Sequence, residues 1–392
     1  MLKKLICLLF FGCYFPTLYA QTVWYHPQEQ KDMPISGRGW GNETGKTYHR
    51  FPIRFRKAVR EALWNLSENS SGLYIDFTTD ATDIAVKYTV TCPKSLNNVG
   101  TMATSGIDLY RRNAQGEWNF CSCFGSFNFG RNVSDTISYH YQNIIGEKDS
   151  AATFRLYLPL YNTVSSLQIG IPANKHLTFT PINSSKPIVV YGTSIAQGAS
   201  ASRPGMSWSN ILQRKLDIPV FNLGFSGNGR LEPEVFHIMG ELTNARLFII
   251  DCIPNMDSPE RVDSIYPRII AGVRYLRSKT LAPILLTEHC GYTNSLTQKG
   301  LREQVLKANS LLYKAFMELK RQGIKNLEYL TANEIGIIND NDSQIDGVHA
   351  TDIGMRLYAN AYINKIRLMQ RNLTCLAGSR FCSSLRISLS RF

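Results

Sequence analysis

Ser194 stands in Pro187-Ile-Val-Val-Tyr-Gly-Thr-Ser-Ile-Ala-Gln-Gly198, where an apolar, β-branched run gives way to a Gly-flanked serine and then to a helix-compatible stretch. That order puts a hydroxyl on a tight strand-to-helix turn, at the carboxyl end of the strand and above a helix N-terminus. A serine hydroxyl attacks only when a base takes its proton. His349, in Asp346-Gly-Val-His349, supplies an imidazole. Asp346, three residues earlier, can turn back within one loop and hold the ring in one tautomer. Two further segments lie between serine and histidine, Asn222-Leu-Gly-Phe-Ser-Gly227 and Asp251-Cys-Ile-Pro-Asn255. Acyl transfer passes through an oxyanion, and the donors on offer are the Ser194 N–H, the Gly227 N–H and the Asn255 amide. Gly227 lacks a Cβ and so lets backbone approach a substrate closely.

Each piece also has a plain reading. Asp-Gly-Val-His could be a turn before a helix, Gly227 a turn glycine like its neighbours Gly224 and Gly229, and Asn255 a turn residue after Pro254. It is the four pieces in one order that favour catalysis. His289, in Thr-Glu-His-Cys, ends an apolar run on the same side and reads as a structural histidine or a pocket wall. Trp208 and Tyr292 read as core residues, with a substrate groove as the alternative. The seven histidines are scattered with no pair at ligand spacing, so neither a catalytic metal nor a cofactor is expected.

A parallel α/β sheet is what must carry such a turn. Apolar runs at 188–191, 220–223, 247–251, 284–287 and 327–330 alternate with helical stretches, which implies helices on both faces of that sheet. The clearest helix is 301–321, with Leu301, Val305, Ala308, Leu312, Ala315, Phe316 and Leu319 on one face and Gly323 as a stop. Sites in such sheets lie at the carboxyl ends of the strands, where all four segments fall. Before Lys186 the period is two: 73–77, 84–90, 106–110, 153–158 and 167–171 read as short strands of an all-β sandwich. The polar stretch Asn183-Ser-Ser-Lys-Pro187 is the boundary.

These blocks resemble those of the SGNH (GDSL-type) serine hydrolases, which supply Ser, Gly, Asn and His in that order. The resemblance implies a three-layer, flavodoxin-like hydrolase fold. It also implies catalytic roles for Ser194, Asp346 and His349, an oxyanion hole of Ser194, Gly227 and Asn255, and an acyl-enzyme route. Thr193 replaces the usual Asp before the serine, and Pro254-Asn255 replaces the commoner Gly-x-Asn-Asp. Gly106-Ile-Asp-Leu-Tyr110 and Leu158-Pro-Leu-Tyr-Asn162 are similar to the N-terminal domain of the bacterial two-domain esterases of this group. The resemblance covers about residues 35–368. It implies removal of small acyl groups, acetyl above all, from a carbohydrate. A lipid or lysophospholipid esterase and a non-catalytic polysaccharide-binding protein are the competing readings.

The remaining features set context. Met1-Leu-Lys-Lys, the apolar run Leu5–Phe15 and Pro-Thr-Leu-Tyr-Ala20 describe a secretory signal peptide over 1–20, cleaved before Gln21, with a lipid anchor at Cys13 as the alternative. Export to the periplasm or the medium follows. No later stretch is apolar enough to span a membrane. The sandwich then occupies 21–185, the hydrolase 186–370, and 371–392 reads as a poorly ordered tail. Beyond the leader seven cysteines remain, an odd number that implies no disulfide framework, and Cys252 and Cys290 read as buried thiols. Net charge is +13, or +7 without the leader and tail, and no Lys/Arg run is present. Such charge reads as a diffuse solvated surface, with mild attraction to acidic polysaccharide but no nucleic-acid site. Oligomeric state is not legible.

Overall fold

The computed structural model describes residues 21–144 and 151–388, so the expected leader lies outside the described residues. Ten short strands build the N-terminal part: β1 Thr22–Tyr25, β2 Tyr74–Thr79, β3 Ile84–Val90, β4 Asp108–Arg112, β5 Trp118–Cys121, β6 Phe127–Asn128, β7 Ile137–Tyr141, β8 Ala152–Tyr157, β9 Val164–Pro172 and β10 Leu177–Phe179. They form two five-stranded antiparallel sheets, ordered β1-β9-β3-β7-β6 and β10-β2-β8-β4-β5. In β3 every second residue is buried, the mark of a sheet with one face in a core. Ile75, Phe77, Val86, Leu109, Phe154 and Ile169 meet between the sheets. The helices here are α1 Glu61–Ser67 and α2 Thr101–Ser105.

The second part holds β11 Ile188–Gly192, β12 Val220–Gly224, β13 Leu247–Asp251, β14 Ile284–Thr287 and β15 Leu327–Leu330. All pair in parallel, in the order β12-β11-β13-β14-β15. The helices are α3 Ser194–Gln197, α4 Trp208–Leu216, α5 Pro233–Gly240, α6 Ile265–Lys279, α7 Lys299–Arg321, α8 Ala332–Ile335 and α9 Asp352–Ser388. β11 is buried throughout, and its side chains divide between two cores. Val189 and Tyr191 meet Val235, Ile269 and Leu312 of α5, α6 and α7, while Ile188 and Val190 meet Trp208, Leu212 and Tyr362 of α4 and α9. Trp208 stacks on Tyr362 with ring centroids 4.5 Å apart, so it is a core residue.

Two elements cross the boundaries expected from the sequence. Residues 371–388 are not a separate element, because α9 runs on through them to Ser388. They hold no proline and a single glycine, so nothing in the backbone stops the helix. Nor does the whole stretch 21–185 belong to the sandwich. Phe51, Phe55, Leu63 and Trp64, between β1 and β2, pack into the α/β core.

The two parts are bolted together by buried polar groups. Arg50 is almost fully buried, and its Nη1 donates to the Asn222 and Gly224 carbonyls, at 2.9 and 2.7 Å, on the edge strand β12. Asp108, in the Gly-Ile-Asp-Leu-Tyr motif, accepts from the Gly205 N–H at 2.6 Å and pairs with Arg203 at 2.7 Å. Tyr110 of the same motif takes a second bond from Arg203 at 2.8 Å. This motif is therefore a docking element.

Candidate active site

Ser194 opens α3 directly after β11. The Thr193 hydroxyl accepts the Ile195 N–H at 3.3 Å and caps the turn, so threonine does here what an aspartate would do. β11 lies between β12 and β13, where the strand order reverses, and the serine sits at this switch point. His349 lies on a loop ahead of α9. Its Nε2 is 2.9 Å from Ser194 Oγ and its Nδ1 is 2.7 Å from Asp346 Oδ2.

The loop explains that geometry. Asp346 Oδ1 accepts the Val348 and His349 N–H groups at 3.0 and 2.7 Å, while Oδ2 faces the imidazole. Gly347 has φ +84°, the left-handed backbone that lets four residues close this turn. Burial works against the Asp346 charge, but bonds from the His349 N–H and the imidazole outweigh it and hold the carboxyl down to about 2. An ionised Asp346 accepts from Nδ1, which leaves Nε2 bare and facing the serine.

Asn98 was not singled out from the sequence. It comes from the N-terminal part, and its Nδ2 lies 3.2 Å from Asp346 Oδ2 and 3.1 Å from His349 Nδ1. Because Nδ1 carries the proton given to Asp346, the Asn98 amide donates to the carboxylate. The Asn98 carbonyl is held by Ser200 Oγ at 2.7 Å, just past α3. No local signal marks Asn98, because its partners are 248 and 251 residues away.

The two segments expected to carry donors pack against the end of β11. The Phe225 N–H donates to the Gly192 carbonyl at 3.0 Å, which seats the turn 225–229 against the end of β11. Of the neighbouring glycines, Gly229 is the packing one: a Cβ there would come within 1.9 Å of the Gly192 oxygen. Gly227 is exposed at φ +64°, and a Cβ would meet nothing within 4 Å. Its backbone therefore faces open space beside the site. Asn255 follows β13, and its amide reaches back to the Gly229 and Phe225 carbonyls at 3.3 and 3.5 Å.

The other candidates separate from the site. His289 is buried, accepts the Gly291 N–H at 2.9 Å and is driven by burial down to about 3, so it is a neutral core residue. Tyr292 donates to Asp257 at 2.6 Å and packs edge-on against His289. Cys252 and Cys290 are buried thiols. Among the described residues no three metal-capable side chains gather, and no helix is long and apolar enough to cross a membrane.

Residues 185–367 match the GDSL-like lipase/acylhydrolase family, and residues 22–177 match the N-terminal domain of SGNH-hydrolase-type esterases. A protein described as a GDSL-like lipase from Bacteroides ovatus is 29% identical, with TM-score 0.79 over 90% of this chain and 98% of that one. The salicylyl-acyltransferase SsfX3 from a tetracycline biosynthetic pathway has the same fold at 15% identity and TM-score 0.69, over 89% and 98%. A family two carbohydrate esterase from Cellvibrio japonicus shares it at 12% identity and TM-score 0.53, over 90% and 99%. No curated protein sequence matches significantly. With its α/β part and its sandwich each matched in turn, and the serine turn at the switch point of the parallel sheet, the chain belongs to the GDSL-like (SGNH) hydrolases that carry an N-terminal β-sandwich domain.

Proposed function

We propose that this protein is an exported serine esterase that removes small acyl groups, acetyl first among them, from carbohydrate. The observation that carries the reading is the chain of contacts from Ser194 Oγ to His349 Nε2 and from Nδ1 to Asp346, at 2.9 and 2.7 Å. In this reading His349 takes the hydroxyl proton as Ser194 Oγ bonds to the ester carbonyl carbon. The oxyanion is received by the Ser194 and Gly227 N–H groups and by the Asn255 amide as it turns from its long bonds to the Phe225 and Gly229 carbonyls, each such donor being worth about 3 kcal/mol. Collapse breaks the bond to the alkoxy oxygen, which leaves with the proton from His349. A water activated by the same imidazole then frees the acid and restores the serine.

The basic, apolar leader supports export. The carbohydrate esterase among the fold neighbours supports the substrate class. Acetate release from acetylated oligosaccharides and from p-nitrophenyl acetate tests the reading. The wild type should turn over both, and Ser194→Ala should lose at least about a thousandfold in kcat while folding normally. A folded Ser194→Ala variant with near wild-type turnover would exclude this nucleophile.

A further inference from the structure

Arginines from four separate stretches converge on the donor side of the site. Arg230 Nε donates to the Gly227 carbonyl and Arg261 Nε to the Asn255 carbonyl, both at 2.7 Å. These two carbonyls belong to the residues read as oxyanion donors. Arg268 Nη1 holds the Arg230 carbonyl at 2.7 Å, and Arg60 holds the Asn228 side chain at 2.8 Å. One carboxylate touches the group: Glu232 pairs with Arg60 at 2.5 Å, and its other oxygen takes the Arg230 N–H and the buried Tyr191 hydroxyl. Asp257 and Glu260 act on Arg261 from beyond ion-pair distance. Among the described residues the guanidinium groups of Arg230, Arg261 and Arg268 form no ion pair with a carboxylate, although Glu232 takes the Arg230 backbone N–H.

This concentration of like charge is costly. Burial, then Arg60 and Arg261, lower the affinity of Arg230 for its own proton; Glu232 opposes them, and Arg268 adds to them. Bracing alone does not require it, since a neutral amide can also donate to a carbonyl. Arg230 and Arg261, whose Nε is tied to backbone, keep the Nη1/Nη2 edge with the fork geometry that matches a carboxylate or sulfate, whereas Arg60 and Arg268 spend Nη atoms on Asn228, Glu232 and the Arg230 carbonyl and contribute charge. Gly227, between the serine turn and Arg230, is open to solvent, so a bound chain can pass from one to the other.

We propose that Arg230, Arg261, Arg268 and Arg60 form an anion subsite beside the ester site, so that the substrate is an acylated polyanionic glycan with a carboxylate or sulfate near the ester. The substrate assignment rests on Ser194 being the nucleophile; the binding claim does not. Charge that is scattered along the sequence is thus gathered in space, against the diffuse surface expected from composition.

Two measurements test it. In affinity electrophoresis the Ser194→Ala variant should be retarded by polygalacturonate or by dextran sulfate, but not by neutral xylan. Retardation by the first alone identifies carboxylate as the ligand, and by the second alone sulfate. In Ser194→Ala, adding Arg230→Gln or the exposed Arg60→Gln should weaken retardation, and Lys325→Gln on a distant surface should not. The second measurement is the ratio of kcat/KM on acetylated galacturonate oligomers to that on acetylated xylo-oligomers. Arg230→Gln and Arg261→Gln should each lower it about tenfold through KM, the scale of one charge-assisted hydrogen bond. Arg230→Lys should restore most of the preference. No retardation by either polyanion, or the same loss from Lys325→Gln, would overturn the subsite. Ester turnover with an unaltered ratio would overturn it and leave the esterase reading intact. Retardation without any ester turnover would do the reverse.

Discussion

Asn98 of the N-terminal part donates its side-chain amide to the carboxylate of Asp346, 3.2 Å away, in the loop that carries His349. One member of the site's polar network thus comes from outside the α/β sheet. Four donors converge on Asp346: the Val348 and His349 N–H groups, the imidazole and Asn98.

Asn98 is a positioning residue in this arrangement. Asn98→Ala should lower kcat roughly tenfold with KM little changed, because the loss falls on ring orientation. The low-field proton resonance of the His349 Nδ1–H should move as well. A variant with altered KM, unchanged kcat and an unmoved resonance would assign Asn98 to substrate contact or to folding alone.

Asp346 should orient His349 and not attack the ester. Asp346→Asn should cut kcat by about four orders of magnitude, as expected when the imidazole tautomer is lost. A loss under about threefold in steady-state assays would show that another group holds the ring.

Docking depends on the Gly-Ile-Asp-Leu-Tyr motif. Asp108→Ala leaves Arg203 and the Gly205 N–H without their buried partner. Urea unfolding should show a loss of about 3–5 kcal/mol. A chain of residues 186–370 alone lacks Phe51, Phe55, Leu63 and Trp64 from its core and Arg50 from β12, and should be insoluble or melt far lower. A soluble fragment with an unaltered melting temperature would refute this.

Stability should fall with rising pH on account of Asp251. This residue is fully buried at the end of β13, its Oδ2 lacks a hydrogen-bond partner, and burial pushes its carboxyl up to about 8. The unfolded chain ionises it near the ordinary value of about 3.9. Between these two values the folded state holds a proton that the unfolded state has released, so its contribution is complete below about pH 4 and declines up to pH 8. Asp251→Asn should flatten that slope in chemical denaturation from pH 4 to 8. An unchanged slope would mean that Asp251 is ionised when folded.

The central strands of the parallel sheet were legible because fully buried strands read as apolar runs, and the 247–251 and 284–287 runs coincide with β13 and β14; 327–330 coincides with the edge strand β15, where Glu328 is half-buried. Strands β5 and β6 were not legible, since they are short and largely exposed, which weakens alternation, and β10 is only three residues long. The Ser194 turn and the Asp346–His349 loop could be read because each is a local device, with its capping atoms within three residues. Asn98, the docking role of Asp108 and the meeting of Arg60, Arg230, Arg261 and Arg268 could not. The Asn98 and Asp108 partners lie about a hundred residues away or more, and although Arg230 and Arg261 each brace a carbonyl nearby in sequence, only the packing of the sandwich and of the β12 and β13 loops brings the four arginines together. Local chemistry is written in spacing, whereas contacts across elements exist only once burial has chosen which faces meet.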